Sequence, residues 1–166
     1  FLHANNNRIR IFGNRGANGI DGTVSSALGA GTVCQPLYLI VGDLTFYHDM
    51  SALILSKLYG INITIIVLNN NGGGIFSFLP QAKQPRNFEK LFGTPLNITF
   101  EKIVEMYGGN YAKCEDWSGF ESALKKSAGI KGLNVIELMT NREDNYKEHE
   151  QIEGAVSREI SRFLQV

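Results

Sequence analysis

Gly42-Asp43-Leu44-Thr45, answered further on by Asn69-Asn70-Asn71-Gly72-Gly73-Gly74-Ile75-Phe76, is the stretch on which the reading of the fold turns. The residues just before it, 36–41 (PLYLIV), are an apolar run suited to a strand buried on both faces. Residues 44–59 then show helical spacing, with Phe46 and Tyr47, Met50, Leu53 and Ile54, and Leu58 about one turn apart, and Gly60 supplies a stop. Residues 61–68 (INITIIVL) form a second, β-branched strand that ends in asparagines and glycines. Strand, helix, strand in that order predicts a βαβ unit, with parallel neighbouring strands and a right-handed crossover.

Parallel strands end on the same edge of a sheet, so Asp43 and the asparagines 69–71 should arrive side by side, where open α/β sheets bind ligands. Asp43 offers a carboxylate, the asparagines offer amide oxygens, and the glycine turn leaves backbone carbonyl and N–H groups uncovered. Oxygen donors of this kind suit Mg²⁺ or Ca²⁺ far better than zinc, and Mg²⁺ keeps positions for water and phosphate. The start of the helix after Asp43 adds free N–H groups for a phosphate. A site for a metal-bridged diphosphate follows. The glycines at 13, 16, 19, 22, 29 and 31 form neither G-x-G-x-x-G nor a Gly-Lys-Ser/Thr loop, so the usual dinucleotide and P-loop readings are weak.

Gly42-Asp43 followed by Asn70-Asn71 after the intervening stretch 44–69 resembles the signature of thiamine-diphosphate (ThDP) enzymes, in their diphosphate-binding domain. Three further words narrow the likeness: Asn14-Arg15-Gly16-Ala17-Asn18-Gly19-Ile20-Asp21-Gly22, Gly42-Asp43-Leu44-Thr45, and Asn69 to Ser77. Together they resemble the 2-succinyl-5-enolpyruvyl-6-hydroxy-3-cyclohexene-1-carboxylate synthases of the menaquinone pathway. The likeness runs from about Arg8 to the C-terminus, with all of its specific words before Pro80.

That resemblance implies roles for particular residues. Asp43 and Asn70 would bind Mg²⁺ (or Mn²⁺ or Ca²⁺ in its place) through their side chains, and Gly72 through its carbonyl. Leu44 and Thr45 would hold the diphosphate by N–H groups, with Gly42 and Gly73 shaping the cradle. Ile20 matches the aliphatic residue that bends the cofactor. Ile75, Phe76 and Leu79 would form an apolar wall of the catalytic site, where separated charge is disfavoured. Arg15 matches an arginine that binds substrate carboxylate, a task suited to a planar guanidinium. Read without the family, Asp43 alone would be an ordinary helix N-cap, and Asn69 and Asn71 are turn asparagines rather than ligands. His48 reads as structural, and Lys83 and Arg86 as a solvated loop face.

Composition sets the outer limits. The chain has 166 residues, 43% hydrophobic and 19% charged, the size and make-up of one soluble globular domain. Sixteen basic and sixteen acidic residues give zero net charge, which offers no electrostatic case for nucleic acid or an anionic membrane. Cys34 and Cys114 lack metal or redox spacing and read as buried thiols of a reducing compartment, which suits a bacterial cytoplasmic protein. No signal peptide or membrane-length apolar run is evident.

Residues 1–7 read as a disordered leader and 8–166 as the folded domain, and a start at Phe1 rather than Met suggests a piece of a longer enzyme. Residues 8–12 read as a short strand, 80–95 as a long polar loop, and 100–107 as a helix capped by Thr99. Then come a strand at 110–114, a helix at 116–128, a strand at 133–139, and a last helix reaching about Leu164. Its inward stripe would be Ile152, Val156, Ile160 and Phe163 or Leu164. The sum is a doubly wound α/β fold with a mainly parallel sheet and helices on both faces.

One residue the family needs is missing: the glutamate that activates the aminopyrimidine. The resemblance assigns it to the pyrimidine-binding domain of a partner subunit in a homodimer or homotetramer. Residues 44–59 agree, because their apolar side chains wrap most of the helix and exceed the stripe of a free surface helix. The expected activity of the whole enzyme is decarboxylation of 2-oxoglutarate and addition of the succinyl-semialdehyde carbanion to isochorismate, with this chain alone inactive. Two other readings stay open: the same domain of an acetolactate-synthase or oxo-acid-decarboxylase type of ThDP enzyme, and a non-catalytic phosphate- or nucleotide-binding module.

Overall fold

The two apolar runs flanking the first helix become neighbouring parallel strands, β1 (Tyr38–Gly42) and β2 (Ile63–Asn69), in register from Tyr38 opposite Thr64 to Gly42 opposite Leu68. The computed structural model describes residues 9–14 and 19–164, so the expected leader at 1–7 and Arg15 lie outside the described residues. Two more strands, β3 (Asn110–Cys114) and β4 (Leu133–Met139), complete a four-stranded parallel sheet in the order β1-β2-β4-β3. All four strands therefore end on one edge. β2 and β4, the central pair, are buried along nearly their whole length, as their β-branched sequences require.

Helices cover both faces. On one, Ile63, Ile65 and Val67 of β2 and Leu133 and Val135 of β4 meet α1 (Thr23–Gly31) through Val24 and Leu28, and α5 (Glu101–Met106) through Val104. Phe46 of α2 (Asp43–His48) and Phe100 are fully buried there, edge to face at 4.9 Å. Each such side chain stabilises the fold by about 1.5–3 kcal/mol. On the other face, α6 (Trp117–Ser127) packs on β3 and β4; Asp116, where the helix was expected to begin, is its N-cap and accepts from the Gly119 N–H at 2.7 Å.

Several expectations need correction. β1 is an edge strand, not a doubly buried one: Tyr38 and Ile40 stand exposed on the face where α6 packs over β3 and β4. Residues 9–12 form no strand. The helix expected over 44–59 is broken into α2, a 3₁₀ turn (Met50–Leu53) and α3 (Ile54–Tyr59). The break comes at Asp49, whose carboxylate is drawn to α1 and accepts from the Ser25 N–H at 2.7 Å and hydroxyl at 2.9 Å. Gly60 does end α3, in the left-handed conformation (φ 63°), with the Ile61 N–H returning to Ser56 O.

The polar loop expected over 80–95 consists of short helical turns: 3₁₀ at Pro80–Lys83, α4 (Pro85–Phe88), and a π turn at Glu89–Gly93. Phe92 gives this segment a small core of its own, against Phe88 at 6.0 Å and Phe76 at 5.7 Å. Thr99 does not cap α5; Phe100 holds the N-cap position with no side-chain bond. Cys114 is buried, but Cys34 is only half-buried. The stripe expected to face inward on α7 (Arg142–Leu164) is exposed at Ile152, Val156, Ile160, Phe163 and Leu164. The first turns of α7 meet Phe78, whose ring is tilted against Tyr146 at 5.3 Å and edge to face with His149 at 5.2 Å.

Candidate metal and diphosphate site

Asp43 is the last thing β1 delivers before α2 begins, and it is 2% exposed. Its Oδ2 accepts from the Gly72 N–H at 2.7 Å, which ties the tip of β1 to the glycine turn after β2. Burial pushes this carboxyl above the ordinary aspartate value. N–H bonds from Gly72, Leu44 and its own backbone, with the positive Arg142 nearby, pull the other way. A carboxylate in that position is short of positive charge.

The turn after β2 is held residue by residue. Asn69, 3% exposed, gives Nδ2 to Glu137 Oε1 (2.5 Å) and to Ile98 O (3.3 Å), and its Oδ1 accepts from the Asn71 N–H at 3.0 Å. Asn71 adopts φ +56°, and its amide makes two bonds with Asn97, at 2.9 Å each. Gly72 has φ +134°, and a Cβ there would lie 2.1 Å from Gly93 O, so no other residue fits. The next N–H, that of Gly73, donates to the same Gly93 O at 2.8 Å.

Asn70 differs from both neighbours. Its Oδ1 is buried and has no hydrogen-bond partner. An orphaned buried acceptor costs about 1–3 kcal/mol, which a cation at that oxygen would remove. The donor chemistry fits Mg²⁺: a carboxylate and an amide oxygen with adjacent backbone carbonyls, leaving further positions for phosphate and water. Among the described residues no group of three or more His, Cys, Asp or Glu side chains converges, so a zinc-type cage is not an alternative there.

Around this edge, the glycine turn passes into a 3₁₀ turn (Gly74–Phe78) that carries the expected apolar wall. Ile75 and Leu79 are exposed and Phe76 is half-buried against Phe92. Ile20 is exposed just before α1, and Leu44 and Thr45 are half-buried at the start of α2. A cleft opens beside the turn, lined by Asn70, Asn71, Ser77, Lys83, Arg142 and Tyr146. His48 turns instead to Asp21, at 3.5 Å.

Sequence reasoning missed three residues here. Arg142 closes the back of the site, with its guanidinium on both oxygens of Glu89 (3.2 and 2.7 Å), and Gly93 supplies the carbonyl that meets the glycine turn. No pattern announced either. Glu137 did leave a signal, as a carboxylate in the middle of the apolar strand LNVIELM.

A family model described as thiamine pyrophosphate enzyme, C-terminal TPP binding domain, matches residues 2–138. A relative from Bacillus cytotoxicus, named 2-succinyl-5-enolpyruvyl-6-hydroxy-3-cyclohexene-1-carboxylate synthase, is 49% identical over 165 residues, 99% of this chain and 28% of the relative. The protein of the same name from Geobacillus thermodenitrificans is 51% identical over 165 residues, again 99% of this chain and 28% of the relative. The chain thus spans a little over a quarter of the length of these curated relatives. Among solved structures, a Rhodococcus jostii thiamine diphosphate-dependent 4-hydroxybenzoylformate decarboxylase superposes with a TM-score of 0.64. It is 23% identical, and the match covers 72% of this chain and 23% of that one, a likeness of fold.

Proposed function

This chain belongs to the thiamine pyrophosphate enzyme family, as its C-terminal TPP-binding domain, and on that premise we propose that it anchors the diphosphate of ThDP through Mg²⁺ in a menaquinone-pathway synthase. Asp43 and Asn70 hold the ion by their side-chain oxygens and Gly72 by its carbonyl, with Mn²⁺ or Ca²⁺ as substitutes. Leu44 and Thr45 turn backbone N–H groups toward the diphosphate, and Gly42 and Gly73 leave room for it. Ile20 supports the bend of the cofactor; Ile75, Phe76 and Leu79 exclude water from its reactive side. Arg15 receives a substrate carboxylate. When bound, ThDP would supply an acidic carbon and an electron sink for the decarboxylation of a 2-oxo acid.

In the whole enzyme the substrates are 2-oxoglutarate and isochorismate: the first loses CO₂, and its succinyl-semialdehyde unit is added to the second. The activating glutamate comes from the pyrimidine-binding domain of a partner subunit in a homodimer or homotetramer. Tyr47, Ile54, Leu58 and Tyr59, exposed along α2 and α3, supply apolar surface for that partner. The whole enzyme is read as cytoplasmic; among the described residues no helix is long and apolar enough to cross a membrane.

The observation that carries this reading is the buried, unpartnered Asn70 oxygen at the same sheet edge as the buried Asp43 carboxylate. Calorimetric titration of the full-length enzyme with ThDP, with and without Mg²⁺, tests it. Metal-dependent binding is expected, and equal binding without metal would remove the metal site. Turnover of isochorismate with 2-oxoglutarate, compared with turnover of pyruvate, tests the substrates. Product formed by this chain alone would contradict the shared active site.

A further inference from the structure

One buried carboxyl group borders the site without touching ion or cofactor. Glu137 sits on β4 opposite Val67, facing the apolar core, and is fully buried. Taking a carboxylate out of water costs several kcal/mol unless its oxygens are fully bonded. Here Oε1 accepts from Asn69 Nδ2 at 2.5 Å, and Oε2 from the Phe100 N–H at 3.1 Å and the Tyr111 hydroxyl at 2.5 Å. Burial and the bond to Glu137 both hold the Tyr111 proton in place, pushing that hydroxyl well above the ordinary tyrosine range.

The consequence lies in Asn69. An amide presents an oxygen on one side and an NH₂ on the other, and which way it points is set by its neighbours. A carboxylate at 137 is purely an acceptor when ionised, so together with the more distant Ile98 O at 3.3 Å it takes the NH₂ and leaves the oxygen facing the Asn71 N–H at 3.0 Å. That bond ties the Asn71 backbone, at φ +56°, while Asn97 ties its side chain, and the next N–H, that of Gly72, reaches Asp43 Oδ2 at 2.7 Å. Asn70 lies between the two anchored positions. An unbroken chain of bonds therefore runs from Glu137 through Asn69 to the turn that carries the donors.

We propose that Glu137 is a positioning residue for the metal turn, acting through the polarity of the Asn69 amide rather than touching ion or cofactor. The inference rests on reading that turn as the Mg²⁺ site. Glu137→Gln keeps size and shape but can turn an NH₂ toward Asn69. The Asn69 amide must then reverse and bring its own NH₂ against the Asn71 N–H, or lose the bond. The defect is one of geometry at the turn, and excess metal repairs it.

The test uses the full-length enzyme and two readouts: half-saturating Mg²⁺ for ThDP binding by calorimetry, and melting temperature without metal. Glu137→Gln is expected to raise half-saturating Mg²⁺ about ten-fold, in the range of other groups that orient metal ligands. Its kcat at saturating Mg²⁺ should stay within about two-fold of the parent. Asn69→Ala should give the same shift, and the double variant no more than either alone, as residues on one path do. Tyr111→Phe, which removes a donor on the far oxygen only, should lower the melting temperature and leave the Mg²⁺ requirement unchanged. A Glu137→Gln enzyme that melts lower but needs no more Mg²⁺ would overturn the proposal, leaving Glu137 a packing residue. If Glu137→Gln does not fold, an unchanged Mg²⁺ requirement in Asn69→Ala overturns it equally. Asp43→Ala is the reference: if it too leaves Mg²⁺ dependence untouched, the metal reading itself fails.

Discussion

The strand tips and the outer helices of this domain reverse the usual rule in opposite senses. At the tips, polar side chains are inside: Asp43 is 2% exposed, Asn69 3%, and Glu137 fully buried. Along α3 and α7, apolar side chains are outside, with Leu58 65% exposed and Phe163 87%. Polar groups are normally buried only with partners, and contiguous apolar surface is normally covered. Asn69 and Glu137 are partners to each other, but the buried Asn70 Oδ1 has no partner and the outer apolar side chains have no cover, so each region reports a missing complement whose kind its chemistry gives. Oxygen atoms facing inward call for a cation; side chains of leucine and tyrosine facing outward call for protein.

The comparison breaks first at Asp43. Asp43→Ala in the full-length enzyme should abolish Mg²⁺-dependent ThDP heat in calorimetry and lower activity about a hundred-fold or more. Retained activity at limiting Mg²⁺ would separate the buried polar cluster from metal binding. Gly72→Ala comes next: with φ +134° and Gly93 O 2.1 Å from the new Cβ, urea unfolding should show a loss of about 3 kcal/mol. The outer face should respond in the contrary way. Leu58→Glu should shift stability by no more than about 0.5 kcal/mol, as exposed substitutions do, yet weaken assembly in sedimentation of the full-length enzyme. Unaltered assembly would remove α3 from the interface.

The smallest effect is one of pH. Because burial raises the Asp43 carboxyl, the metal-free protein gains stability as pH falls below that raised value and loses it as pH rises through it. Mg²⁺ needs the ionised form, so the stabilisation it gives should fade over the same interval on acidification. Melting curves with and without Mg²⁺, compared with Asp43→Asn, check both signs; a parent and variant with parallel pH profiles would refute them.

How much of this was legible follows from how local the cause is. β4 was readable to the residue, and the parallel pairing of β1 and β2 from the order of elements, because apolar runs and glycine stops are local signals. The meeting of the tip of β1 at Asp43 with the turn after β2 was readable because topology brings the ends of parallel strands together. The break at Asp49 was not, since its cause is Ser25 on another helix. Nor were the helical turns over 80–93, which depend on contacts among Phe76, Phe88 and Phe92. On α7 the period was right and the direction wrong. A stripe at helical spacing marks a surface to be covered, and says nothing of whether the cover belongs to the same domain.

The single bond from the Gly73 N–H to Gly93 O has a kinetic meaning. It makes the strap over 80–93 and the glycine turn one mechanical unit, latched from behind by Arg142 on Glu89. The strap cannot swing outward without tugging on the backbone of the glycine turn. If that turn holds the diphosphate as proposed, opening of the strap and release of the cofactor are geared together.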